Sequence, residues 1–337
     1  MRYLVLQYGQ ENDRMALREL TDLPNVDTII WHKEYSSLLK RGLRKLHTDK
    51  RVNKWFDLPA RDIWHRDVFE AVGHTDCLII LAYCLMEIDE VFLAKVRKIN
   101  PRIKIVLLLW DSLATHSIMM ETTRPKILGY KWDMVLSFDK QDCEAHGFVW
   151  LGMHYYSRQE LNIDDTINRD ICFVGAATAG RRELLDDICG YVSKLGAKCD
   201  FTLVTPAEKN FRIKRLFVNE GDYYSKEGVC LTKKNISYKD ILKKTIQSNC
   251  ILELVQPGQK SQTLRYFEAV IYNKKLLTNN QYIKELPFYN ERYMHIFSDV
   301  EDIDASWLKK REIIDYQYKD EFSPVYIIRL IEDNMNL

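Results

Sequence analysis

Two unbroken apolar runs, residues 77–83 (CLIILAY) and 103–109 (IKIVLLL), constrain the first half of this chain more than any other feature. A strand that is wet on one face alternates apolar with polar residues, and these do not. They predict strands covered on both faces, as in a parallel sheet flanked by helices. Between them, residues 86–99 carry Ile88, Val91, Phe92, Val96 and Ile99 at helical spacing. Shorter apolar runs at 3–7, 28–31 and 133–138 add further strands. Strand, helix, strand in repetition argues an open, doubly wound sheet.

The pattern restarts in the second half. Residues 171–175 (ICFVG) form a strand ending in glycine, 182–195 a helix, and 199–204 the next strand. A helix over 238–247, a strand over 250–255, a loop over 256–262, a helix over 263–273 and a strand over 275–278 follow. The expected organisation is therefore α/β, with two Rossmann-like doubly wound domains facing across a cleft. The domains span 1–160 and 168–322, joined by a linker around 155–168. The helical spacing of residues 324–336 lets that last segment return to the first domain. A length of 337 residues fits two domains.

Composition removes several function classes. The formal net charge of +1 gives no whole-molecule reason to expect nucleic acid as a partner. The eight cysteines are scattered, form no C-x-x-C pair and several lie in apolar runs, so buried free thiols explain them better than a disulfide framework or zinc site. The start, MRYLVLQYGQ, turns polar too soon for a signal peptide, and no apolar stretch is long enough to span a bilayer. A cytoplasmic protein is expected, with contact to the inner face of the cell membrane left open. Neither half carries G-x-G-x-x-G after its first strand, which argues against a dinucleotide-dependent dehydrogenase.

The richest constellation is VQPGQKSQTLRYFEAVIYNKKLLT, residues 255–278. Gly258 lies in the loop after a strand, where a backbone can approach a ligand closely. Thr263 is a candidate N-cap, so the helix presents free N–H groups and its positive end to the same space. Lys260 and Arg265 add charge suited to a diphosphate. Glu268 falls at the edge of the inward stripe of Leu264, Phe267 and Ile271, where a carboxylate can accept both hydroxyls of a ribose. The alternative is a half-buried Glu paired with Arg265. A second constellation, DICFVGAATAGRRELL, puts Gly175 at a strand end and Arg181 and Arg182 at a helix start, which suits an anion; the alternative is an ordinary turn with solvated arginines.

This second half resembles the donor-binding stretch of GT-B glycosyltransferases, and is similar in particular to bacterial cell-surface polysaccharide (lipopolysaccharide or capsule) transferases with a GQxxxTxRxxEA-like pattern. Gly258-Gln259, Thr263, Arg265, Glu268 and Ala269 carry that likeness, together with F-V-G at 173–175 and an arginine soon after. The resemblance implies a metal-independent transfer from a nucleotide diphosphate sugar, with no cofactor, to a glycan or lipid-linked glycan acceptor. It also implies that Glu268 holds the donor's ribose. The sequence departs from the fuller E-x-F-G-x-x-x-x-E form, since Ser261 stands seven residues before Glu268. A nucleotide- or sugar-binding module without turnover is the competing reading.

On the acceptor side, Gly9 follows the first strand, and Trp110 and Asp111 follow the apolar strand 103–109. Asp111 is the candidate general base, with an N-cap role as the alternative. Trp110 offers a ring for stacking on a sugar. Ser137 and Asp139, in LSFDKQD, are candidates that can also serve only to cap a helix. The lone His154 is expected to be structural. The DxD at Asp302 to Asp304 lies late in the chain and out of place for a metal site. Finally, Lys33 to Lys54 holds eight Lys/Arg against Glu34 and Asp49. Its helical spacing fits either a basic helix on an anionic membrane surface or a core-packed helix with a solvated face.

Overall fold

In the computed structural model the chain divides into two compact units, Met1–Ser157 with Phe322–Leu337, and Arg158–Glu321. The structure describes residues 1–31, 37, 39, 42–43, 65–114, 118–160, 162–178, 180–205, 223–234, 236–255 and 262–335. The loop with Gly258 and Lys260, and nearly all of the segment from Lys33 to Lys54, lie outside the described residues.

The first unit is built on a six-stranded parallel sheet in the order β2-β1-β3-β4-β5-β6. Its strands are β1 (Tyr3–Gln7), β2 (Val26–Ile30), β3 (Cys77–Leu81), β4 (Lys104–Leu108), β5 (Met134–Ser137) and β6 (Val149–Trp150). Every residue of β1 and β3 is buried, as their unbroken apolar runs require, whereas the edge strand β2 has an exposed stretch. The helices are α1 (Glu11–Ala16), α2 (Arg18–Thr21), α3 (Arg66–Val72), α4 (Glu90–Ile99), α5 (Ile118–Gly129) and α6 (Lys140–His146). Helix α4 starts where the Asp89 carboxylate accepts the Phe92 N–H at 3.0 Å and stops at Asn100, before Pro101. Its inward stripe is Phe92, Leu93 and Val96; Val91, placed inward by spacing, is 68% exposed.

The second unit carries a seven-stranded sheet ordered β13-β12-β11-β7-β8-β10-β9. It comprises β7 (Arg169–Ala176), β8 (Cys199–Val204), β9 (Tyr223–Tyr224), β10 (Cys230–Thr232), β11 (Ser248–Glu253), β12 (Lys275–Thr278) and β13 (Met294–Ile296). All neighbours are parallel except β9 with β10. The helices are α7 (Arg181–Lys194), α8 (Tyr238–Ile246), α9 (Leu264–Ile271) and α10 (Ala305–Lys309), before α11 (Tyr326–Met335) returns to the first unit. There Ile327, Ile328 and Ile331 join the first core, and the Tyr3 hydroxyl donates to Glu332 at 2.7 Å.

Both sheets have a topological switch point, where the chain leaves two adjacent strands in opposite directions. In the first it lies between β1 and β3, in the second between β7 and β11. Ligands of open α/β sheets sit beyond the carboxyl ends of the strands at such points. Each unit therefore presents one place to look for a site.

Candidate functional site

In the second unit, β7 ends beside Arg181, the first residue of α7. The Arg181 guanidinium donates to the Ala176 carbonyl at 2.9 Å and the Leu254 carbonyl at 3.2 Å, bridging the ends of β7 and β11. It also lies 5.9 Å from the centre of the Phe173 ring. Burial lowers its proton affinity, yet a guanidinium remains a cation. Two of its five donors are engaged here, which leaves hydrogen-bonding capacity at the switch point. Arg182, by contrast, is exposed and lies 3.7 Å from Asp186 on its own helix, so the two arginines of the motif separate into a bridging and a solvated one.

Gly175 is a glycine for a packing reason. A Cβ there would stand 2.8 Å from the Phe173 ring. Its carbonyl end still opens the strand-to-helix turn, but the absent side chain makes room for an aromatic ring.

The exit of β11 is held from several directions. Glu253, 0% exposed, accepts from the Thr263 N–H at 3.2 Å, the Thr263 hydroxyl at 2.6 Å and the Thr278 hydroxyl at 2.7 Å. Thr263 in turn caps α9 by accepting the Arg265 N–H at 3.1 Å. Asn279 clasps Val255 in both senses, at 2.8 and 3.2 Å. These contacts hold the chain at Val255 and Thr263, on either side of residues 256–261. Glu253 was not singled out from sequence; the signal was there as an acidic residue closing an otherwise apolar CILEL run.

Helical spacing puts Glu268 at the edge of the stripe, within reach of a ribose, but the structure buries it completely, at 0% exposed. Its carboxylate accepts from the Tyr238 hydroxyl at 2.9 Å and the Thr245 hydroxyl at 3.4 Å, and forms an ion pair with Arg265. Burial raises its proton affinity and Arg265 opposes that rise. Glu268 and Arg265 thus form an ion pair within α9, packed against Tyr238 and Thr245 of α8, and Glu268 has no exposed surface left for a ligand.

In the first unit the switch point is acidic. Asp111, beyond β4, accepts from the Tyr83 hydroxyl at 3.2 Å. It is not the cap of the following helix, which starts at Ile118. Its charge acts on Asp13 of α1, which is 1% exposed and has a buried Oδ2 with no partner. Burial, with the Asp111 charge behind it, pushes the Asp13 carboxyl up to about 7. The fully buried Tyr155 shares this space: Asp13, Tyr83 and Asp111 all act on its phenol, and its hydroxyl too has no partner. Sequence reading missed Asp13 because a short polar helix, ENDRMA, shows no apolar stripe to mark which side turns inward.

His154 braces this region. Its Nδ1 accepts the Tyr155 N–H at 2.9 Å, which leaves Nε2 to donate to the Trp110 carbonyl at 3.1 Å. Complete burial lowers it to about 4, so it is neutral and structural. Trp110 packs edge-on against His154 and Tyr155, at 4.7 and 5.5 Å between ring centres, and is half-buried. Gly9 adopts φ 110°, a conformation that favours glycine, in the turn between β1 and α1. Ser137 and Asp139 take the structural alternative. Asp139 caps α6 through Gln141 and Asp142 N–H groups, and Ser137 accepts the Asp139 N–H at 3.1 Å. Asp302 and Asp304 likewise serve local caps.

No family model matches the chain. No curated protein matches it either. Solved structures do. HepE of Anabaena, in complex with UDP and glucose, aligns with a TM-score of 0.58 at 12% identity, over 100% of this chain and 99% of that one. An alpha-glucosyltransferase in complex with UDP-glucose and DNA containing an abasic site aligns with a TM-score of 0.50 at 13% identity, over 90% of this chain and 88% of that one. The likeness is one of fold: the chain has the α/β GT-B architecture of two Rossmann-like domains.

Proposed function

We propose that this chain is a glycosyltransferase that moves a sugar from a nucleotide diphosphate sugar to a glycan or lipid-linked glycan acceptor destined for a surface glycan. The observation that carries the reading is Arg181, a cation bridging the ends of β7 and β11 at the switch point of its sheet. Together with the N-termini of α7 and α9, it supplies the positive charge and N–H donors that a diphosphate needs both when bound and when leaving. UDP-glucose is the first donor to try, because the two aligned structures hold UDP with glucose and UDP-glucose.

Transfer without a metal belongs to the same proposal. Asp302 and Asp304, the DxD of this sequence, are occupied as helix caps, and Arg181 offers the charge a metal would otherwise bring. Action at the inner face of the membrane, through the segment from Lys33 to Lys54, is proposed on charge and spacing alone. The test of function is release of UDP from UDP-glucose, beside a thermal-shift screen of nucleotides and nucleotide sugars. Binding with no release from any sugar donor leaves a non-catalytic module. No binding and no release refutes both.

A further inference from the structure

Seven of the eight cysteines are buried, and Cys199 is the exception. It opens β8, across a short turn from the end of α7, and that turn sets it beside Cys189 of the helix. The Ser193 hydroxyl lies 3.9 Å from the Cys189 sulfur and 3.8 Å from the Cys199 sulfur, and the two thiols hydrogen-bond to each other. Ser193 is exposed and Cys199 partly so, whereas Cys189 is 2% exposed and donates to the Glu227 carbonyl at 2.7 Å. One thiol of the pair therefore faces the surface and the other lies directly behind it. Sulfurs in hydrogen-bond contact are within side-chain rotation of a bond.

We propose that Cys189 and Cys199 form a reversible oxidation site, which hydrogen peroxide closes to a disulfide and a thiol reductant reopens. Cys199, the exposed member, meets the oxidant. Its sulfur attacks one peroxide oxygen and the O–O bond breaks. The departing hydroxide takes up the thiol proton as water, and Cys199 is left as a sulfenic acid. The Cys189 sulfur then attacks the Cys199 sulfur, the S–O bond breaks, and the hydroxide leaves with the Cys189 proton as a second water. Two thiols are oxidised to one disulfide while one peroxide is reduced to two waters. Burial shields Cys189 from the oxidant but not from Cys199.

A thiolate makes the first attack, and the pair is built to supply one. The hydrogen bond from Cys199 holds the Cys189 thiol below its usual value, against burial and the nearby Asp186 and Glu227 carboxylates. The two thiols titrate together, and a proton passing along their hydrogen bond puts the charge on Cys199, where the oxidant arrives. Elsewhere burial pushes Cys77, Cys84, Cys143, Cys172 and Cys250 up, so those thiols stay protonated and inert. Closing the bridge ties the last turns of α7 to the start of β8 and takes the Cys189 thiol off the Glu227 carbonyl. In a reducing compartment such a bridge is transient.

The experiment exposes the reduced, folded full-length chain to hydrogen peroxide, alkylates the remaining thiols, and maps tryptic peptides without reduction. Trypsin cuts after Lys194 and Lys198, so the bridge joins peptide 183–194 to peptide 199–209. The expected result is that linked pair, its loss after dithiothreitol, and alkylation of the other six cysteines. Cys189→Ser should leave Cys199 as a sulfenic acid that dimedone captures, whereas Cys199→Ser should leave Cys189 as a free thiol. The wild-type map needs neither variant to fold. Both thiols still open to alkylation after peroxide, Cys199 oxidised without joining Cys189, or either one bridged to a different cysteine or to a second chain, each overturns the proposal. None of these outcomes depends on glycosyl transfer.

Discussion

Replacing Asp13 with Asn should stabilise the protein at pH 8 and leave it nearly unchanged at pH 4. In the folded chain this carboxyl titrates at about 7, against an ordinary 3.8. The gap is about 3 units, and each unit is worth about 1.4 kcal/mol, so the ionised form destabilises the fold by about 4 kcal/mol. The sign follows from proton counting. Between pH 4 and 7 the folded state holds a proton that the unfolded state has released, so stability falls as pH rises through that window. Above it the full penalty applies; below it both states are protonated and the penalty disappears. Asn has the same shape and no charge. It also leaves the site's hydrogen bonding as incomplete as the protonated acid does, so that contribution cancels in the comparison. With about 2–4 °C per kcal/mol for a unit of this size, the variant's melting transition at pH 8 should lie about 10 °C above wild type. Calorimetry from pH 4 to 9 reads this directly. A difference that does not change with pH, or an Asn variant that melts lower at pH 8, refutes the reasoning.

Other perturbations follow from the second unit and the donor reading. Arg265→Ala leaves the fully buried Glu268 without its counter-charge and should cost about 3 kcal/mol in chemical denaturation. Gly175→Ala places a methyl 2.8 Å from the Phe173 ring and should lower the melting temperature, with recovery in the double variant that adds Phe173→Leu. Glu253→Gln turns an amide donor toward a threonine hydroxyl that already donates; a loss of about 1–3 kcal/mol and weaker UDP binding are expected, the second because α9 loses its anchored start. UDP release should continue undiminished in excess EDTA, and a rate restored only by added divalent cation would contradict metal-independent transfer.

The fold was legible where burial is written as long apolar runs. The strands at 77–81 and 104–108 are buried on both faces, and a sequence buried on both faces cannot hide that. Helix α5 was not legible. It has Pro125 inside it and buries Lys126, whose ammonium donates to the Leu85 and Ile88 carbonyls, so neither propensity nor stripe announces it. The two-residue strands β6 and β9 are too short to leave a periodicity. Val91 shows the limit of spacing as a guide, since a helix face of about 100° does not say which of two adjacent apolar residues turns in.

The candidate site divides in a similar way. The motif 170–185 identified a glycine and two arginines, but only three dimensions tell Arg181, which reaches across to Leu254, from Arg182, which turns back to Asp186. Glu268 read equally well as a ligand or as one member of an ion pair, because the partners that close it off, Tyr238 and Thr245, come from a helix some 25 residues earlier. Asp111 was visible at a strand end. Asp13 was not, since its significance lies in what it fails to touch, and absence of a partner leaves no mark in a sequence.

The central claim, a nucleotide diphosphate held at Arg181, is tested most directly by calorimetric titration of UDP into wild type, Arg181→Ala and Arg182→Ala. The account predicts binding by wild type, a loss of at least about tenfold in affinity for Arg181→Ala, consistent with about 1.4 kcal/mol or more for a charge-assisted contact, and no more than about a twofold change for Arg182→Ala. Equal affinities across the three proteins, or no binding of UDP or any other nucleoside diphosphate by wild type, would contradict it.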